Sequence, residues 1–242
     1  MDQEEAVRQA LAKSCLYRFL SPLFLYPGEE TFSGLNWGEG EEAVALLGSP
    51  DGLKEAIESL KGCLETLGDL QSEYGRVFSH SISKECPPYE THYGGTNDAS
   101  DIFQQTQVLA DIAGFYRAFG LEASEQVKER LDHISIELEF MAFLAYKQAH
   151  AATSGWEDKA EVCREAQEKF LNDHLGRWVP LFTTRLSEKA GDGFYRELSR
   201  LTKAFLDFDV KAMGAKPCES GEPTPVTFEP EESCFSCGIK DL

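Results

Sequence analysis

The fold is decided by residues 131–145, which read LDHISIELEFMAFLA. One apolar stripe at helical spacing consists of Leu131, Ile134, Leu138, Met141 and Ala145. Much of another face is covered by Ile136, Phe140, Phe143 and Leu144. A helix that is apolar on most sides belongs in the middle of a bundle. We therefore predict a central helix from about Glu125 to His150.

Helical periodicity recurs on both sides of this segment, whereas no stretch shows a comparable strand pattern. Ser49 and Pro50 offer an N-cap and a first-turn proline. They precede apolar residues that predict one continuous helix: Leu53, Ala56, Ile57, Leu60, Leu64, Leu67 and Leu70. Further helices are predicted over residues 7–19, 100–119, 157–174 and 194–208, with another starting near Trp178. The predicted fold is an all-α, single-domain helical bundle.

The last stretch of the chain changes character. From Gly214 to Leu242, prolines alternate with glutamates and the apolar periodicity stops. Such a composition does not bury enough apolar surface to fold on its own. We predict a helical domain over residues 1–213, followed by a tail or loosely docked arm over residues 214–242.

The composition favours cationic partners. The chain has 42 Asp and Glu against 23 Lys and Arg, a formal charge of −19 that repels nucleic acid and anionic lipid. The same acidity is also accounted for by solubility alone. The N-terminus is acidic and lacks the basic start and apolar core of a secretory signal. Seven cysteines, mostly scattered singly, suggest a reducing compartment, so we expect a cytoplasmic protein.

A second informative stretch is ECPPYETHYGG, residues 85–95. Pro87 and Pro88 fix their φ angles near −65°, and the two glycines at its end allow turns that other residues resist. The stretch therefore predicts a rigid connector that holds its tyrosines and Glu90 in defined places. One interpretation is a structured loop packed on the bundle. The other is the rim of a peptide groove, in which tyrosines supply flat surface and Glu90 binds a guanidinium.

Two further blocks accompany this connector. In residues 73–78, EYGRVF, the side chains of Tyr74 and Phe78 share a helix face, which by itself indicates core packing. Asp132 and His133 stand at the start of the most apolar part of the central helix. An aspartate at the start of a helix complements the helix dipole, and a histidine there is often only hydrogen-bonded structure. The presence of these two residues can therefore be explained without a functional role.

In this order and at this spacing, the three blocks resemble the family of chaperones for molybdenum-cofactor oxidoreductases that includes TorD, DmsD and NarJ. The resemblance covers roughly residues 11–208. The family's connector reads Pro-Pro-Tyr-Glu-Ser, and Thr91 replaces that serine while keeping a hydroxyl. A proline that commonly precedes the Asp-His pair is missing, since Glu129, Arg130 and Leu131 stand there.

The resemblance implies an all-helical chaperone that binds the N-terminal, twin-arginine leader region of the apo catalytic subunit of a molybdopterin oxidoreductase. It would assist cofactor insertion and delay export until loading is complete. The implied peptide-binding residues are Tyr89, Glu90, Tyr93, Asp132, His133 and Glu137; the implied structural residues are Tyr74, Phe78, Pro87 and Pro88. The alternative within the family is a chaperone for a reductase that is anchored to the membrane without being exported. Binding to nucleic acid and insertion into a membrane are not expected, and both a monomer and a dimer remain open.

The tail carries a CxxC pair, Cys234 and Cys237, with Cys218 upstream. A structural metal site requires four ligands, so these three cysteines are only weak candidates for metal ligands. We predict neither a metal nor another cofactor. A metal- or redox-responsive helical protein is the alternative from a different class. The sequence has no GxSxG, HExxH, P-loop or Rossmann motif, and a Cys86–His92 pair lacks an orienting group, so no enzyme is expected.

Overall fold

The structure, a computed structural model, describes residues 2–50, 52–64, 66–78, 86–93, 100–122 and 129–218. Within these ranges every regular element is helical, which confirms the all-α prediction, and no helix is long and apolar enough to cross a membrane. The α-helices are α1 (Gln3–Leu20), α2 (Glu29–Ser33), α3 (Trp37–Leu46), α4 (Leu53–Gly62), α5 (Leu67–Phe78), α6 (Ser100–Ala118), α7 (Ile134–Thr153), α8 (Glu157–Phe170), α9 (Gly176–Ala190) and α10 (Phe194–Met213). Short 3-10 turns cover Ser21–Phe24 and Glu90–His92, and a π-helical turn covers Leu171–Leu175.

Helix α7 lies at the centre of the bundle, as its sequence predicts. It packs along α1 on one side and against α8 on another, while α10 packs on α9 and α4. Its apolar residues Ile134, Leu138, Met141 and Leu144 are almost fully buried and belong to one continuous hydrophobic core. The helix starts later than predicted, at Ile134, because His133 caps it. Of the predicted extension, residues 125–128 lie outside the described residues.

The prediction of one continuous helix over residues 53–70 is wrong. The chain forms α4 and α5, separated by a break after Gly62. Thr66 begins the second helix, because its Oγ1 accepts a hydrogen bond from the Asp69 backbone N–H at 3.3 Å. Ser49 is not the cap of α4 either, since that position is taken by Gly52, whose φ is +83°. The helical spacing of the apolar residues thus continues from α4 into α5, although the Thr66 cap starts a new helix between them.

A π-helical turn joins α8 to α9. The sequence predicts one helix to His174, but the regular α-helix ends at Phe170 and the next five residues follow the wider turn. A π-turn inserts one residue into the helical period and rotates the following side chains. His174 is thereby placed on the buried side of the turn, where only 2% of its surface is exposed.

The described part of the predicted tail, residues 214–218, docks on this π-turn. Gly214 ends α10 with φ of +71°, and Ala215 is buried. The Lys216 N–H donates to Asn172 Oδ1 at 2.5 Å. Pro217 lies so close to Gly176 that a Cβ on that glycine would meet its ring at 2.9 Å. The position of the domain boundary stays a prediction, and residues 219–242 lie outside the described residues.

A buried ion pair ties α1 to α10. Lys13 Nζ lies 3.0 Å from Asp209 Oδ1, and the Tyr17 hydroxyl donates to Asp209 Oδ2 at 2.6 Å. Both charged side chains are inside the bundle, at 8% and 0% exposure. We call Lys13, Tyr17 and Asp209 the core ion pair.

Candidate functional site

The connector and the start of α7, which are 40 residues apart in sequence, meet as a short antiparallel bridge. The Glu90 N–H donates to the Asp132 carbonyl oxygen at 2.9 Å, and the Ile134 N–H donates to the Pro88 carbonyl oxygen at 3.0 Å. Tyr89 and His133 are the paired residues. The rigid connector therefore positions its side chains directly against the first turn of the central helix.

Asp132 is fully buried and surrounded by donors. Its Oδ2 accepts hydrogen bonds from the Thr91 N–H at 3.2 Å and the Thr91 hydroxyl at 2.8 Å. Arg130 binds both carboxylate oxygens, through Nε at 3.0 Å and a terminal nitrogen at 2.8 Å. A forked guanidinium and a carboxylate form strong, charge-assisted hydrogen bonds. Thr91 differs from the family's serine only by a methyl group, and its hydroxyl makes one of these hydrogen bonds to Asp132.

His133 caps α7 as a neutral imidazole. Its Nδ1 accepts the Ser135 backbone N–H at 3.2 Å, which requires that Nδ1 carry no proton. Burial lowers the pKa of His133 to about 4, although the charges of Glu129 and Asp132 oppose this shift. Its ring packs edge-on against Tyr89, with centroids 5.1 Å apart. A neutral histidine replaces the usual Ser or Asp cap here.

The two tyrosines of the connector differ in exposure. Tyr89 is partly exposed, and its hydroxyl donates to Glu129 Oε2 at 3.1 Å; burial and the Glu129 charge raise the pKa of Tyr89 to about 12. Tyr93 is fully buried against Trp178, with ring centroids 5.2 Å apart, and burial raises the pKa of its phenol. Tyr89 is therefore available at the surface, whereas Tyr93 anchors the connector to α9.

Glu137 lies in the interior one turn into α7, with no exposed surface. Its Oε2 accepts a hydrogen bond from the Trp178 indole N–H at 3.1 Å, and Oε1 finds no donor among the described residues. Burial, reinforced by the negative charges of Glu90 and Asp132, raises the pKa of Glu137 well above its usual range. We call Glu90, Asp132 and Glu137 the carboxylate cluster.

Glu90 connects this cluster to the surface. Both of its oxygens lie within 3.1 Å of His174 Nδ1. On the far side of the ring, His174 Nε2 is 3.4 Å from Asp111 Oδ2 without an aligned hydrogen bond. An open pocket of about 610 Å³ lies here, lined by Glu90, Gln107, Val108, Ala110, Asp111, Asp173, His174 and Arg177. We call it the His174 pocket.

The four residues assigned as structural lie in two separate parts of the fold. Pro87 and Pro88 are buried in the connector. Tyr74 and Phe78 instead pack on Tyr195 of α10, at 5.9 and 5.4 Å between ring centroids. The EYGRVF block is thus a packing element for the start of α10. Glu73 contributes there by accepting the backbone N–H groups of Phe194 and Tyr195.

Sequence reasoning missed Arg130, Asp111, His174, Arg177 and Trp178 as parts of this region. A usable signal existed for two of them, because His174 and Trp178 continue the apolar face of Phe170 at spacings of four. A histidine on an apolar face needs a buried partner. No comparable signal marks Arg130, because nothing in the sequence shows that its side chain folds back over Asp132.

The cysteines carry no metal site in the described part of the chain. Cys218 is exposed, and no group of three His, Cys, Asp or Glu side chains within the described ranges is placed to hold a metal ion. Cys234 and Cys237 lie outside the described residues.

Comparison with known proteins agrees with the resemblance that the three sequence blocks indicate. The family model described as "Nitrate reductase delta subunit" matches residues 48–184, which is more than half of the chain. The perchlorate reductase assembly chaperone protein of Dechloromonas aromatica is 27% identical over 86% of this chain and 93% of its own length. Chaperone protein TorD of Photobacterium profundum is 27% identical over 76% of this chain and 82% of its own. The selenate reductase assembly chaperone protein of Thauera selenatis is 34% identical over 48% of this chain and 58% of its own. This chain therefore belongs to the nitrate reductase delta subunit family of molybdoenzyme assembly chaperones, as the three sequence blocks predict.

Proposed function

We propose that this protein is a non-catalytic chaperone that binds the N-terminal, twin-arginine leader region of the catalytic subunit of a molybdopterin oxidoreductase. It holds the apo subunit for cofactor insertion before export. Its relatives are assembly chaperones of reductases, and the partner of this chain is accordingly a reductase subunit. The observation that carries the leader proposal is the surface formed by the His174 pocket and the adjacent face of α6.

That surface combines negative charge with apolar area. Glu90 and Asp111 place carboxylates in the pocket, and Phe103 stands two turns before Asp111 on the same face of α6. Phe103 and its neighbour Ile102 are exposed by 65% and 74%. A twin-arginine leader joins two guanidiniums to an apolar run, so each half of the peptide meets a matching part of this surface.

The six residues assigned to peptide binding differ in how a peptide could reach them. Tyr89 is partly exposed, and Glu90 is buried but lines the pocket, so these two can touch a peptide. Tyr93, His133 and Glu137 are buried and hold the connector from behind. We propose that these three act by positioning Tyr89 and Glu90. Asp132 is buried as well, and its carboxylate is paired with Arg130.

Calorimetric titration with a synthetic leader peptide of the partner subunit tests the proposal. Asp111→Asn and Phe103→Ala should each weaken binding, because one removes a carboxylate that pairs with arginine and the other removes apolar contact area. A charge-assisted pair is worth on the order of 1–3 kcal/mol, or about tenfold to a hundredfold in affinity. Matched controls are Asp207→Asn and Val162→Ala, which alter an exposed carboxylate and an exposed apolar side chain elsewhere. Equal affinity of all four variants and the parent would exclude this surface.

A second candidate is assembly of a reductase that is not exported. It is favoured by the match to the nitrate reductase delta subunit family model. The two candidates differ in which part of the catalytic subunit the chaperone recognises. Binding of the catalytic subunit after deletion of its leader should disappear if the leader is the ligand and should persist if the chaperone recognises another part of the subunit.

A further inference from the structure

The guanidinium of Arg130 is held by three kinds of contact. Its forked N–H groups bind both oxygens of Asp132, and a terminal nitrogen also donates to the Thr91 hydroxyl at 2.7 Å. Its central carbon lies 4.9 Å from the centroid of the Tyr89 ring. A carboxylate fork, a hydroxyl acceptor and an aromatic face together satisfy three of the five N–H donors and one face of the guanidinium.

This receptor is fixed by contacts that do not involve Arg130. Asp132 is held by the N–H and hydroxyl of Thr91, and its backbone is held by the bridge to Glu90. The carboxylate has no exposed surface, whereas the Arg130 side chain is 44% exposed. The arginine can therefore swing into solvent without opening the hydrophobic core, and the receptor would keep its shape.

We infer that Asp132, Thr91 and Tyr89 form a guanidinium-binding site that Arg130 fills in cis and that an arginine of the bound partner takes over. The takeover rests on the proposed function. The receptor and the His174 pocket are joined through two consecutive residues, since Thr91 belongs to the first and Glu90 to the second. A peptide with two consecutive arginines thus has two neighbouring acceptor sites.

Exchange of one arginine for another conserves every hydrogen bond to Asp132, so the buried charge does not stay unpaired. Arg130 is tethered two residues away and acts as a competitor with an effective concentration of at least about the millimolar range. A free guanidinium cannot displace it at low concentration. A peptide that is already anchored by its apolar part presents its arginine at a high effective concentration and can displace Arg130.

Chemical rescue tests the receptor. In Arg130→Ala the site is empty, so millimolar methylguanidinium should raise the thermal midpoint of this variant relative to methylammonium at the same concentration. No such difference is expected for the parent, for Arg117→Ala, or for the double variant Arg130→Ala with Asp132→Asn. The Arg117 guanidinium is an exposed control that donates to a carbonyl of its own helix. Equal responses of Arg130→Ala and the double variant would overturn the receptor.

Titration with the leader peptide tests the exchange. Removing the competitor should tighten binding to Arg130→Ala by about tenfold, and Arg130→Lys, which keeps the charge but lacks the fork, should fall between this variant and the parent. Weaker binding to Arg130→Ala would overturn the exchange, because Arg130 would then contact or position the peptide. If methylguanidinium rescues Arg130→Ala but neither protein binds the peptide, the receptor stands, while the exchange and the proposed leader binding both fail.

Discussion

The core ion pair and the carboxylate cluster are both buried, but their charges are balanced differently. Asp209 has a lysine 3.0 Å away that is itself buried, so negative and positive charge leave water together. The carboxylate cluster places Glu90, Asp132 and Glu137 near one another, and among the described residues its neighbours are a half-exposed Arg130 and His174. One cluster is closed and pairs its carboxylate with a buried cation, whereas the other crowds three carboxyl groups together beside an open pocket.

We propose that the difference separates a structural role from a functional one. A matched buried pair fixes how two helices pack and needs nothing from outside. Crowded buried carboxyl groups cost stability, and such costs are concentrated at sites that bind or react. The carboxylate cluster therefore gains by meeting a cationic ligand, whereas the core ion pair does not.

The largest effect is expected at the core ion pair. Lys13→Met leaves Asp209 charged and unpaired, so the free energy of unfolding at pH 7 should fall by about 3–5 kcal/mol. Urea denaturation measures it. Adding Asp209→Asn should restore most of the loss. Lys61→Met breaks an exposed pair with Glu41 and should change stability by less than about 1 kcal/mol. An effect of Lys13→Met as small as that control would show that the two clusters do not differ.

The opposite result is expected in the carboxylate cluster. Glu137 has a raised pKa, so its stabilising contribution is present below its unfolded pKa and is lost as pH rises. Glu137→Gln keeps the acceptor for Trp178 and cannot ionise. The variant should therefore gain stability over the parent as pH rises above the unfolded pKa of about 4.3. Urea denaturation at a series of pH values measures the gain, and Glu139→Gln, on the exposed face of the same helix, should show little change. Identical pH profiles for Glu137→Gln and the parent would mean that Glu137 is ionised at no cost.

Most of the fold could be predicted from the sequence because apolar periodicity reports burial directly. The pattern placed α7 in the centre and located α6 and α10 within a few residues of their observed bounds. It failed at residues 53–70, where the apolar residues keep their helical spacing although the Thr66 cap starts a new helix. It also failed at the π-turn, because one extra residue in the period leaves no signature in residue type.

Less of the candidate site was accessible. The resemblance indicated the connector and the start of α7, and the structure joins them through a backbone bridge. His174 reaches the connector through tertiary folding alone, and Arg130, although only two residues from Asp132, meets Thr91 only when the connector is in place. Charge and apolar periodicity do not encode which buried carboxylate meets which cation, so the distinction between the two clusters appears only in three dimensions.

A smaller effect is expected at His133. Its pKa of about 4 lies below the value of about 6.5 in an unfolded chain, so the native state resists protonation. Its contribution is present above pH 6.5 and is lost as pH falls toward 4. His133→Asn keeps an acceptor for the Ser135 N–H and removes the titration. From pH 7 to 5 the variant should lose about 1–2 kcal/mol less stability than the parent, measured by urea denaturation. The same change at the exposed His150 is the control. A parallel loss in His133→Asn would show that this histidine is not held neutral.

The smallest effect concerns residues 215–218, which lie against the π-turn that carries His174. A chain that stops after Gly214 should remain folded but lose the buried Ala215, the Lys216 hydrogen bond to Asn172 and the packing of Pro217 on Gly176. We expect a loss of about 1 kcal/mol and a midpoint lowered by about 2–4 °C in thermal unfolding. A chain that stops after Cys218 keeps all three contacts and should melt like the parent. The shorter chain should also bind the leader peptide more weakly, because a loosened π-turn no longer fixes His174 against Glu90. If both truncated chains melt with the parent and bind the peptide equally, the docked segment supports neither the fold nor the pocket, and the π-turn holds His174 without it.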